Sequence, residues 1–179
     1  VTTERLDFAM LAGFALGGAW LTKSPALFFA LLLPSLWLFA KSYKNIPKQI
    51  FLSLVTVVIG YGMYNILRLG PNFHQIATRN LDYVYPYMHI LSSPLDPFKP
   101  FADRILEYYK MMGPWPVVVM LILSYFVLWR ENWKKILVLS AWFLGPIFAV
   151  SEFSKTMTAR YAFFTVPFVI ILTSSLFLT

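Results

Sequence analysis

An all-α membrane bundle is the fold class this sequence predicts, and three observations predict it. Of its 179 residues 59% are apolar and 18% aromatic, only 13% are charged, and the apolar residues gather into long runs separated by short polar turns. That composition exceeds what a soluble domain carries, and runs approaching 20 residues are the length needed to cross a bilayer as helix. Six such runs occur, at roughly 6–22, 25–40, 47–67, 114–130, 133–150 and 161–178. The expected architecture is therefore about six transmembrane helices, read as a single transmembrane domain over 1–179.

The first run carries Gly13 and Gly17 in a small-xxx-small pattern flanked by Ala12, Gly18 and Ala19, a surface another helix can approach closely. Lys23 follows in a turn between the first and second runs, where a charged side chain snorkels to the headgroups or bends into a protein cavity. Pro34, Pro116, Pro146 and Pro167 fall in or near apolar runs and predict kinks rather than breaks. The first run lacks a basic leader and a cleavage region, so it reads as a spanning helix and not a signal peptide. The chain opens on Val1 and stops at Thr179 within an apolar run, so it is read as a piece of a longer polypeptide. The sequence holds no cysteine, which excludes disulfides, thiolate catalysis and cysteine-bound metal.

Residues 68–113 form the one long polar region, with both histidines and three of the four aspartates. Residues 73–83 suit a short helix, after which Pro86, Pro94, Pro97 and Pro100 interrupt the chain. From Pro100 onward Phe101, Ile105, Tyr108, Tyr109 and Met112 share one helical face, with Asp103, Arg104, Glu107 and Lys110 opposite. This pattern predicts an interfacial amphipathic helix. Lysines and arginines divide seven against eight between the two sides, and the compact clusters Lys41–Lys44–Lys48 and Arg130–Lys134–Lys135 tip the balance. They place the 68–113 loop on the extracytoplasmic face. A net charge of +7 suits anionic lipid headgroups as partners, and nothing in the aromatic placement asks for a nucleic acid.

Two segments resemble a known family. The stretch from Gly13 to Ala26, ending Leu21-Thr22-Lys23-Ser24-Pro25-Ala26, is similar to the helix and "LTKGPA" turn of polyprenyl-phosphate-sugar-dependent membrane glycosyltransferases, the superfamily of protein O-mannosyltransferases and lipid A aminoarabinose transferases. Ser24 stands where glycine is more usual. Near the other end Phe148, Ser151, Lys155, Arg160, Tyr161 and Pro167 resemble the family's "F..S..K....RY.....P" stretch. The specific likeness covers about thirty residues, and it implies the C-type glycosyltransferase fold, of which this chain would be a carboxy-terminal portion.

What the resemblance implies is an enzyme that moves a sugar from a polyprenyl-phosphate carrier to a lipid, glycan or protein acceptor on the outer face of the cell membrane, without a cofactor. Lys23, Lys155, Arg160 and Tyr161 would bind the lipid phosphate. Fixed positive charge beside an oxygen that gains negative charge as the sugar leaves favours the transition state over the ground state. His74, Arg79, Asp82, Tyr83 and Tyr85 would contact sugar or acceptor. The family's catalytic carboxylate lies in a first outer loop upstream of this chain, so no catalytic residue is assigned here and Asp82 is not given that role.

Each assignment has an ordinary counterpart. Lys23 and Arg160 also suit snorkelling anchors, Lys155 a solvated loop lysine, and the tyrosines an aromatic belt. His74 and His89 read as loop-packing residues, since His74, Asp82, His89 and Asp96 match no recognised ligand spacing and no metal is expected. The alternative class is a transporter or flippase subunit, or a membrane scaffold, whose basic residues line a passage or bind structural lipid. No inverted repeat between the first and last three runs supports it.

Overall fold

The computed structural model describes residues 4–40, 42–96, 98–113, 115–159 and 163–177. It is 84% helical, with no strand among the described residues. The expected all-α class holds. Two compact units divide at Ala77 and Thr78.

The first unit is built on α1 (Leu6–Thr22) and α3 (Ile46–Tyr64), its principal packed pair. Between them lie a 3₁₀ turn at Ser24–Ala26, the short α2 (Leu27–Leu32) and a 3₁₀ stretch at Leu33–Phe39. The α1–α3 contact explains the small residues. A Cβ on Gly13 would lie 2.8 Å from Ile59 Cβ and 2.9 Å from the Thr56 carbonyl oxygen, and one on Gly17 would lie 2.7 Å from Met63 Sδ. Gly60 repeats the arrangement from α3, meeting Leu16. At this closeness the Thr56 hydroxyl donates to the Ala9 carbonyl at 3.0 Å, a direct interhelical bond.

The second unit contains α5 (His89–Ser92), α6 (Phe98–Met112), α7 (Trp115–Glu131), α8 (Trp133–Phe153) and α9 (Val166–Ser174). The short α4 (Phe73–Tyr83) occupies the helix expected there and carries the division between the units. Leu128, Ile136 and Leu172 form a buried cluster from α7, α8 and α9, backed by Leu121, Tyr125 and Leu139. Asn132 separates α7 from α8 because its side-chain oxygen caps α8, accepting from Lys135 N at 3.2 Å.

Six spans are not what the helices give. Among the described residues two are long and apolar enough to cross a membrane, Tyr43–Leu69 and Trp133–Phe153, and a third if the bent pair Phe98–Met111 with Trp115–Arg130 is one broken span. The shortfall has local causes. The 17 residues of α1 rise about 25 Å at 1.5 Å each, short of the roughly 30 Å hydrocarbon core. The second run leaves α-helix at Leu33 and continues as 3₁₀ through Pro34, whose missing N–H removes an i→i−4 bond. The last run begins its described helix at Val166, beside Pro167, and ends at Phe177.

The amphipathic helix forms as α6, with Pro100 in its first turn and Asp103, Arg104, Glu107 and Lys110 exposed. Its apolar face meets protein. Ile105 is buried, Tyr109 stands edge-on to Phe143 at 5.7 Å and Phe98 tilts against Phe148 at 5.0 Å, both partners on α8. The Tyr109 hydroxyl is also hydrogen-bonded to Thr165, which is fully buried ahead of α9. Ile105→Ala is therefore expected to destabilise the second unit by about 2–5 kcal/mol, seen as a lower midpoint in denaturant titration of the full-length protein. A helix resting on lipid alone would leave that midpoint unchanged.

Candidate functional site

The chemistry-bearing residues of the second unit meet where α8 ends. Beyond Phe153 the backbone turns extended, with Ser154 at φ −81° and ψ 133°, and runs antiparallel to the segment that follows α4. Val84 and Ser154 form an isolated bridge. Tyr85 N donates to the Phe153 carbonyl at 2.7 Å and Lys155 N to the Tyr83 carbonyl at 2.9 Å. This backbone clip positions Lys155: its ammonium donates to the Leu81 carbonyl at 2.5 Å and stands 5.6 Å from the centroid of the Tyr85 ring. Tyr85 is in turn stacked on His89 at 4.2 Å, and His89 Nε2 lies 2.6 Å from the Asp96 carbonyl oxygen. His89 is thus a packing residue, as its sequence context suggested.

Lys155, expected at the lipid phosphate, and Tyr83 and Tyr85, expected at sugar or acceptor, therefore belong to one cluster. Lys155 remains exposed. An ammonium has three donor hydrogens, so the Leu81 bond leaves two for an anion. Tyr85 is half-buried, while Arg79, Asp82 and Tyr83 are exposed on α4. His74 and Lys23 belong to the first unit. His74 is exposed on α4, and Lys23 is an exposed residue closing α1, its N–H bonded to the Ala19 carbonyl at 2.9 Å. Arg160 and Tyr161 lie outside the described residues. No group of three or more metal-ligating side chains occurs among the described residues.

Beside the clip, within the last turn of α8, are two residues that the sequence reading did not single out for chemistry. Glu152 is 1% exposed and, among the described residues, neither carboxylate oxygen has a hydrogen-bond partner, and the adjacent Ser151 hydroxyl is likewise buried and without one there. The available signal was a lone carboxylate closing the apolar run Phe143–Phe153, since an ionisable group at such depth is costly and rarely idle. An unpartnered carboxylate accepts donors; ligand hydroxyl or ammonium groups are the chemistry that matches it. Because leaving it unpaired costs free energy, Glu152→Leu is expected to raise stability by about 1–3 kcal/mol. A higher apparent unfolding temperature of the purified full-length variant would register that gain; an unchanged or lower one would mean that Glu152 is paired in the complete protein.

No family model, curated protein or solved structure matches the chain.

Proposed function

We propose that the chain is part of a membrane glycosyltransferase that transfers a sugar from a polyprenyl-phosphate carrier to an acceptor at the extracytoplasmic face. The single observation that carries the proposal is the clip holding the Lys155 ammonium beside Tyr85 and the Leu81–Tyr83 backbone. It supports the resemblance of the Lys155–Tyr161 stretch because a cationic group suited to an anion and a candidate sugar-stacking ring, Tyr85, share one place, as transfer from a phosphate-linked sugar requires. In that reaction the bond from the anomeric carbon to phosphate oxygen breaks, the electron pair remains on the phosphate, and the acceptor oxygen bonds the sugar after losing its proton to a base. Lys155, Lys23 and Arg160 are proposed to stabilise the growing phosphate charge. The base is proposed to lie elsewhere in the polypeptide.

In the full-length protein, Arg160→Ala and Lys23→Ala should each lower sugar transfer by on the order of tenfold or more, since a charge-assisted contact is worth about 1.5–3 kcal/mol. Normal turnover by a stably inserted variant would remove that residue from the phosphate site.

A further inference from the structure

Within the first unit is a cavity of about 150 Å³ whose walls and polar groups match no part of the transfer site. Its apolar walls come from Phe8 and Ala12 on α1 and Leu36 in the 3₁₀ stretch, and α3 contributes Gln49 and Ser53 one turn apart. Gln49 is 5% exposed and its side-chain carbonyl oxygen has no hydrogen-bond partner among the described residues. The Ser53 oxygen accepts from Trp37 Nε1 at 3.2 Å, and its own hydrogen has no acceptor among the described residues. Thr56, also on the wall, is already committed to the Ala9 and Leu52 carbonyls. The cavity thus couples one orphaned acceptor with one unused donor on the same face of α3.

We infer that this cavity binds the free hydroxyl end of an uncharged membrane lipid of the diacylglycerol type. A hydroxyl both donates and accepts, so one such group satisfies the Gln49 carbonyl and the Ser53 hydroxyl together. A cavity near 150 Å³ holds a ligand about the size of benzene, and a glycerol unit has the same number of heavy atoms. The charged side chains at the cavity's edge favour a neutral head. Glu4 is paired with Lys48 at 3.4 Å and Arg5 with Asp7 at 2.5 Å, so neither sign is left in excess. Phe8 is half-exposed and offers the acyl chains an apolar exit to the hydrocarbon. This site is independent of the glycosyltransferase reading.

The test uses the full-length protein in nanodiscs containing a photoactivatable diacylglycerol, compared with the same lipid capped as its acetate ester. The expected result is labelling of peptides from residues 4–56, reduced about tenfold for the capped lipid and about tenfold by Gln49→Leu. Gln49→Leu removes a buried unsatisfied group, so folding should survive it. Leu36→Trp, which fills the space, should abolish labelling. Equal labelling by free and capped lipids, wild-type labelling of Gln49→Leu, or labelling no greater than that of peptides outside the cavity would each overturn the inference.

Discussion

Gly13→Ala is expected to loosen the α1–α3 pair, at a cost of about 1–3 kcal/mol. The added methyl group would come within 2.9 Å of a carbonyl oxygen of α3 and 2.8 Å of the Ile59 Cβ, which are backbone or next to it and yield only if the helices separate. Gly17→Ala is expected to cost a comparable amount, because Met63 Sδ at 2.7 Å can swing away but Met63 Cβ, at 2.8 Å, is fixed to the α3 backbone. Gly18→Ala meets nothing within 4 Å and should be neutral or slightly stabilising through helix propensity. The three thermal unfolding midpoints in one detergent should therefore place Gly13→Ala and Gly17→Ala both below Gly18→Ala. Equal midpoints would mean that small residues do not set the α1–α3 distance.

Lys155→Ala in the full-length protein should reduce transfer by tenfold or more and also loosen the clip, because the ammonium holds the Leu81 carbonyl as well as any anion. Lys155→Gln separates these roles. Its amide retains a donor for Leu81 but carries no charge, so it should preserve protection of the 81–85 backbone in hydrogen exchange while transfer stays about tenfold down. If Lys155→Gln restores both, the residue is a structural tie and takes no part in phosphate recognition.

The contrast between these two predictions marks what a linear reading reaches. Gly13 and Gly17 announced a close helix contact through spacing alone, since residues four apart share a helical face, although nothing identified α3 as the partner. The 73–83 helix and the apolar face of 101–112 were equally legible from periodicity. That the latter face meets α8 was not, because an amphipathic stripe fits lipid or protein alike. Spans were over-counted where apolar composition persisted through backbone that Pro34 turned to 3₁₀. At the site, Lys155 was legible as a basic residue in a recognisable stretch, but its bond to Leu81 joins positions 74 apart and has no local signature. Glu152 was missed because a missing partner is a property of packing: its neighbours in sequence, Ser151 and Phe153, say nothing of what surrounds the carboxylate.

The most direct measurement is a single-turnover experiment on the full-length protein with a polyprenyl-phosphate carrier bearing a labelled sugar. Transfer predicts that label reaches the acceptor and free polyprenyl phosphate accumulates in equal amount, both falling about tenfold in Lys155→Gln. Label remaining on an intact carrier that crosses between leaflets would contradict the account and identify a flippase.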